Sequence, residues 1–237
     1  MAFQIAHITD THLSAQHPQR TADLALSIAQ INALSTPPSA VVHTGDIADY
    51  GKAEQYDIAR AELDTLQAPY FVLAGNRDDR AHMRTTFADN ALMTFETDFI
   101  QYAIDQFSTR IIVLDTLCIG ANKGQLCDAR LEHFATMLAA DTKRPAAVFM
   151  HHPPFEAHEI PDPVQFVDWT DVEKFIDIVR RYNNISAIYC GHLHRTICAQ
   201  AGGIQASSIS CMAGDLRRGD VSDAQRKEPM FRTLTLA

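Results

Sequence analysis

Two widely separated segments hold the residue types best suited to chemistry: Asp10-Thr11-His12, after the first apolar run, and Gly191-His192-Leu193-His194, after the last long one. Between them stand Gly45-Asp46, Gly75-Asn76-Arg77-Asp78 and Met150-His151-His152. Each directly follows a short run of Val, Ile, Leu or Ala. In an α/β sheet that position is the carboxyl end of a strand, where ligands and active sites collect. Carboxylates, imidazoles and one amide gathered at such points make a metal site suited to phosphate chemistry.

The elements that must position these segments alternate. Residues 2–9, 40–44 and 69–74 read as strands. Between them, 21–34 carries Leu24, Ile28, Ile31 and Leu34 at helical spacing, and 53–66 carries Tyr56, Ala59, Leu63 and Leu66. Pro37-Pro38 is expected to stop the first helix. This βαβαβ half implies parallel pairing with right-handed crossovers. Residues 99–104 and 110–115, joined by a polar turn, read as an antiparallel hairpin. Helices follow over 128–140 and 170–182, the second opening on a capping-box signature, Thr170-x-x-Glu173, with Val172, Phe175, Ile176 and Val179 facing inward. Strands over 146–150 and 185–190 precede His151 and Gly191. The segments 195–210, turning at Gly202-Gly203, and 230–236 read as strand. One domain over 1–237, with two packed mixed sheets and helices outside, is the simplest architecture.

Bulk properties agree with an ordinary globular chain. It has 237 residues, 46% hydrophobic and 21% charged, enough to bury a full core. The formal net charge is −9 with no basic cluster, which argues against a nucleic-acid polymer as partner. No apolar run is long enough to span a bilayer, and the N-terminus is too short and polar for a secretory signal. The five cysteines form no C-x-x-C pair, so reduced thiols and a cytoplasmic location are expected.

In order and spacing the five segments resemble the calcineurin-like binuclear metallophosphoesterases, whose pattern is D-x-H, G-D, G-N-H-[DE], H and G-H-x-H. Within that family, Ile-Thr-Asp-Thr-His-Leu, Met-His-His-Pro-Pro-Phe and Cys-Gly-His-Leu-His-Arg look like the bacterial branch of class III cyclic nucleotide phosphodiesterases and glycerophosphodiesterases. The resemblance implies an α/β fold, a four-layer α-β-β-α sandwich of two mixed sheets. It implies two divalent ions (Fe, Mn, Zn or Co). One would take Asp10, His12, Asp46 and His194; the other would take Asp46, Asn76, His151 and His192, with Asp46 bridging. It further implies hydrolysis of small phosphodiesters by a metal-bridging hydroxide, with 3′,5′-cyclic AMP as leading candidate and glycerophosphodiesters as the alternative. Two divalent ions, two Asp carboxylates and one hydroxide leave about +1, which suits a diester monoanion. The family often forms oligomers, so the resemblance also implies a homo-oligomer.

Taken singly, Asp10 and Asp46 read as loop caps; the ordered set of four histidines and Asn76 makes them ligands. Arg77, Asp78 and His152 are the candidate catalytic residues beyond the metals. His152 reads equally well as a ligand-orienting residue or a structural one. His7 and His43, inside strands, read as core histidines, and His17, His82, His133 and His158 as surface ones. Arg77 departs from the family pattern, which carries His at that place. Arginine can fork onto phosphate but does not release a proton, so the leaving-group proton must come from elsewhere, with His152 and His158 as candidates by reach.

Gly-Asn-Arg-Asp also resembles the UDP-diacylglucosamine pyrophosphohydrolases. Asp79 and Met150-His-His-Pro-Pro-Phe do not match that branch, which ranks it lower. A metal-free binding scaffold of the same fold would have lost ligands, and none is missing. Residues 153–169, Pro-rich and aperiodic, read as an active-site loop. Its Glu156, Glu159, Asp162 and Asp168 disfavour polyanions. Phe155 or Trp169 could stack on a base, and Tyr50 could face the cleft.

Overall fold

The computed structural model describes residues 3–223 and 230–236; Ala2, the expected first residue of the opening strand, lies outside them. The first half folds as β1 (Phe3–Ile8), α1 (Pro18–Asn32), β2 (Ala40–His43), α2 (Ala53–Leu63) and β3 (Tyr70–Val72). β1 pairs parallel with β2, Ile5 beside Ala40, and β2 with β3, Val41 beside Tyr70. A helix the periodicity did not reveal follows, α3 (Arg80–Thr86). Its cap is legible afterwards: Asp79 accepts a hydrogen bond from the His82 amide at 2.9 Å.

Then come β4 (Tyr102–Ile104), β5 (Arg110–Leu114), α4 (Asp128–Ala140), β6 (Ala146–Met150), α5 (Trp169–Val179), β7 (Ile185–Cys190), β8 (Ile197–Ala201), β9 (Ile204–Ser208) and β10 (Arg232–Leu236). The expected hairpin is β4 against β5. β5, β6 and β7 run parallel, and β8 turns back antiparallel onto β9. The sheets are β10-β1-β2-β3 and β4-β5-β6-β7-β9-β8. Both are mixed, since β10 is antiparallel to β1.

Alternation along the central strands builds the layers. On β5, Ile111 and Val113 join the core shared with the first sheet, while Ile112 and Leu114 join the core under α4 and α5. On β6, Ala147 and Phe149 take the first side and Ala146, Val148 and Met150 the second. Leu24, Ile28 and Ile31 of α1 and Tyr56, Ala59 and Leu63 of α2 pack with the first sheet. The order is helices, sheet, sheet, helices, the four-layer sandwich. Each fully buried Leu, Ile or Phe here contributes about 1.5–3 kcal/mol.

The element ends depart from the sequence reading for local reasons. α1 starts at Pro18, whose fixed φ suits the first helical position. It ends at Asn32, so Pro37-Pro38 follow the helix and do not stop it. α5 starts at Trp169, because the Asp168 carboxylate accepts from the Thr170 amide at 2.9 Å. Thr170 therefore lies within the first turn, and Thr170-x-x-Glu173 is not a capping box. Ile178 rather than Ile176 completes the buried face with Val172, Phe175 and Val179. Among the described residues no helix is long and apolar enough to cross a membrane.

Candidate metal centre

Parallel pairing brings the carboxyl ends of β1, β2, β3, β6 and β7 to one edge of the sandwich, and the chemistry-bearing segments leave from there. Backbone bonds lock the loops together. The Asp10 amide donates to Gly45 O at 3.0 Å, the His12 amide to Asp46 O at 2.9 Å, and the Gly191 amide to His151 O at 3.1 Å. Two glycines are required by close approach. A Cβ on Gly75 would collide with the Asp46 carboxylate, and one on Gly191 with the Thr9 hydroxyl and the Asp10 carboxylate. The backbone is also bent where the ligands sit. Among the described residues the non-glycine positive φ values are Asp10 (53°), His12 (44°), Asp46 (52°), His192 (72°) and His194 (55°). All five are expected ligands. The left-handed region is sterically costly for side chains of this size, and such strain persists where the surrounding structure enforces it, typically at functional sites.

Asp10, His12, Asp46 and His194 form one buried donor set. Asp10 Oδ1 lies 3.4 Å from His194 Nε2 and 3.7 Å from His12 Nε2. Asp46 Oδ2 lies 3.6 Å from His12 Nε2. Asp10 Oδ2 is held by the Thr9 hydroxyl at 2.7 Å and the His192 amide at 3.0 Å, whereas Oδ1 is buried with no hydrogen-bond donor. His194 Nδ1 donates to Leu216 O at 3.0 Å, which turns Nε2 toward Asp10. An orphaned carboxylate oxygen facing imidazole nitrogens fits a cation between them.

The second set lies across Asp46. His151 Nδ1 donates to Thr44 O at 2.7 Å, leaving the Nε2 lone pair 3.1 Å from Asn76 Oδ1. His192 Nε2 donates to Gln165 Oε1 at 2.9 Å, leaving Nδ1 3.0 Å from Asn76 Oδ1. In this orientation three lone pairs converge, an arrangement a cation relieves. Asp46 joins the sets. Its Oδ1 accepts from the Arg77 amide at 2.7 Å and stands 3.6 Å from His151 Nε2, while Oδ2 faces His12. Fixing one ring nitrogen through a carbonyl or amide oxygen is the usual way a ligating histidine is oriented.

The charges follow. Burial opposes protonation of His12 and His194, but the carboxylates outweigh it. Asp10, Asp49 and Asp46 push His12 up to about 9, and Asp10 leads in pushing His194 up to about 11. Burial works against the Asp10 carboxylate too, yet His194 and His12 hold it well below the usual range. Burial, with His151 as a like-charged neighbour, holds His192 well below the usual imidazole range.

The three further candidates divide. Arg77 is exposed and lines a cleft of about 380 Å³ over both donor sets, together with Asn122, Lys123, Asp162, Gln165 and Arg218. Asp78 does not face the cleft. Its carboxylate accepts from the amides of Ile47, Ala48 and Gly75 at 3.2, 3.0 and 2.9 Å and from the Tyr56 hydroxyl at 3.1 Å, so it ties the loops after β2 and β3. His152 is 0% exposed. Its Nε2 donates to Asn122 O at 3.2 Å and Nδ1 accepts from the Thr116 hydroxyl at 2.8 Å. Both nitrogens are engaged, and burial, with His192 and His151 as like-charged neighbours, holds it well below the usual imidazole range; its ring nevertheless stands in one group with those of His151 and His192. It packs on the ring of His192, centroids 4.5 Å apart.

Other expectations resolve similarly. His7 and His43 are core histidines, bonded to Thr44 and Thr11 hydroxyls at 2.8 and 3.0 Å. His133 is half-buried beside Gln101 rather than on the surface. Phe155 is packed in the core, 4% exposed. Trp169 lines a separate groove of about 700 Å³ that shares no lining residue with the metal cleft. Tyr50 is exposed and outside the cleft lining. Of the acidic residues in 153–169, Asp162 alone reaches the cleft, where it pairs with Lys123 at 2.8 Å. Sequence reasoning missed Gln165, Asn122, Lys123 and Arg218, which carry no motif, and Asp49, which follows Asp46 by three residues.

Comparison with known proteins agrees with this geometry. Residues 3–196 match the family model described as calcineurin-like phosphoesterase. A glycerophosphodiester phosphodiesterase of Enterobacter lignolyticus is 32% identical over 207 residues, covering 83% of this chain and 72% of the relative. A cAMP/cGMP dual specificity phosphodiesterase of Mycobacterium tuberculosis is 31% identical over 229 residues, covering 90% and 69%. In fold the chain is similar to a dimetal phosphatase from Danio rerio, with a TM-score of 0.78 at 15% identity over 99% of this chain and 92% of that one. With the motif order, the strand-end placement and a match over most of its length, this chain belongs to the calcineurin-like phosphoesterase family.

Proposed function

We propose that this chain hydrolyses small phosphodiesters with two divalent cations, one held by Asp10, His12, Asp46 and His194, the other by Asp46, Asn76, His151 and His192. The observation that carries the reading is the division of Asp46, with one carboxylate oxygen turned to His12 and the other to His151. The donors are nitrogen and oxygen only, a set suited to Fe, Mn, Zn or Co. Bound there, such cations supply Lewis-acid activation of the phosphoryl group and of the water that attacks it.

The chain's own residues do the rest. Arg77, at the cleft, holds non-bridging phosphate oxygens through its planar fork. Asp78 positions the Gly75 turn and so Asn76. The leaving alcohol takes its proton from water in the open cleft, since His152 is buried and fully bonded and His158 lies on the separate groove. The reading takes 1–237 as one catalytic domain with 153–169 as its active-site loop; Ile160, Asp162 and Gln165 of that loop line the cleft.

The cleft lining bears on the substrate. Among the described residues it holds charged groups, amides and two aliphatic side chains, Ile160 and Leu193, and no aromatic ring besides the ligand imidazoles. That suits a short hydroxylated alcohol better than a base needing a stacking partner, so glycerophosphodiesters rank first and cyclic nucleotides second. Each class is named among the relatives. The test is kcat/KM on metal-reconstituted protein for glycerophosphocholine, cyclic AMP, UDP-diacylglucosamine and an aryl phosphomonoester. Preference for either diester supports the reading and sets the order; preference for the pyrophosphate or the monoester defeats it.

A further inference from the structure

Arg20 stands in the first turn of α1, yet is only 4% exposed. A buried guanidinium is costly unless its donors find acceptors. Three separate stretches of chain supply them. Nη1 donates to the His12 carbonyl at 3.0 Å and lies 3.4 Å from Asp49 Oδ2. Nε and Nη2 grip the Asp215 carboxylate at 3.1 and 2.7 Å. The fork therefore joins the loop after β1, the loop after β2 and the 3₁₀ turn Gly214–Leu216.

Each of those stretches backs the first donor set. His12 is itself in it. Asp49 Oδ1 faces His12 Nδ1 at 3.6 Å, the nitrogen that must keep its proton if Nε2 is to ligate. The turn held through Asp215 presents Leu216 O to His194 Nδ1 at 3.0 Å. Just before it, the Ala213 amide donates to Asp10 O at 3.3 Å. His151 and His192 are instead oriented by Thr44 and Gln165, which Arg20 does not touch, and the Asn76 amide oxygen meets those two rings.

We infer that Arg20, through Asp49 and Asp215, is a positioning residue that sets the metal affinity of the Asp10–His12–His194 site selectively over the Asn76–His151–His192 site. The inference rests on the two-cation reading above. A packing role alone would not make this distinction between sites. Asp215 offers a clean lever, because its side chain is 52% exposed and a partly exposed ion pair contributes little to stability.

The experiment titrates Mn(II) into metal-free protein in two backgrounds: Asn76→Ala, which leaves the first site to be read, and His194→Ala, which leaves the second. Asp215→Ala or Arg20→Met should weaken Mn(II) binding about 10–100-fold in the first background and less than about twofold in the second, with Arg20→Lys intermediate. Equal weakening in both, or none in the first, overturns the inference. If Arg20→Met does not fold, Asp215→Ala decides alone. If neither background binds Mn(II), the two-cation reading falls and takes this inference with it. If both bind and the variants match their parents, the inference alone falls.

Discussion

His12 Nε2 and His194 Nε2 stand 3.1 Å apart. Two N–H bonds cannot point at one another across that gap, so at least one nitrogen presents a lone pair. A proton or a cation fills the space between the rings and the two carboxylates. Asp10 and its partners push His12 up to about 9 and His194 up to about 11 despite burial. Near neutral pH the metal-free pocket therefore holds a proton between the two rings that a cation must displace. The expected outcome is that metal binding at this site releases protons and tightens as pH rises from 6.5 toward 9. Calorimetry in buffers of different ionisation enthalpy measures the release; affinity that is flat or falls with pH over this range would refute it.

Stability of the metal-free protein should peak near neutrality. His12 and His194 are raised in the fold, so the folded state binds more protons than the unfolded one above about pH 6.5, and stability falls as pH climbs toward 9. His7 and His43 are lowered to about 3 by burial above all, with like-charged histidines adding to it and Asp10 opposing it. For these the unfolded state binds more protons between about 3 and 6.5, so stability falls as pH drops. Melting temperatures of chelated protein at pH 5, 7 and 9.5 should be highest at 7. A monotonic rise to 9.5 would contradict the assignment of His12 and His194.

Asp46 and Asn76 should separate in metal content. Asp46 faces both donor sets, so Asp46→Ala should lower occupancy at both and remove activity. Asn76→Ala should leave close to one ion, with the remaining affinity changed less than about tenfold. Elemental analysis after gel filtration reads this directly. Equal occupancy in the two variants would mean that Asp46 is not shared.

The site was legible to the extent that its chemistry follows strand ends. Asp10, Asp46 and His151 fall one to three residues beyond Ile8, His43 and Met150, and apolar runs announce those ends. The orienting groups were not legible, because they come from unrelated places: Gln165 from a loop without periodicity, Leu216 through its carbonyl, Arg20 from a helix face that reads as solvent. A backbone carbonyl has no sequence signature at all. His152 was less legible: its sequence position suits a ligand-orienting or a structural role equally, and its ring is held by Thr116 and Asn122 while grouping with those of His151 and His192.

Arg77 carries the sharpest functional prediction. It stands where the family pattern has His, and it lines the cleft beside Asp46, Asn76 and His192. Its backbone amide is committed to Asp46 Oδ1 at 2.7 Å, so the loop position is fixed while the side chain is exposed to the cleft. If the guanidinium stabilises charge developing on the phosphoryl oxygens, Arg77→Ala should lower kcat on the order of 10²–10³-fold with metal content unchanged. Arg77→Lys should recover only part of this, lacking the fork. Arg77→His should acquire a new pH dependence near the imidazole pKa of about 6.5, absent from the parent. Because the substitution leaves the Asp46 contact through the backbone intact, a loss of metal in Arg77→Ala would signal a different role. Turnover of an aryl phosphodiester by Arg77→Ala at the parent rate would remove Arg77 from the mechanism.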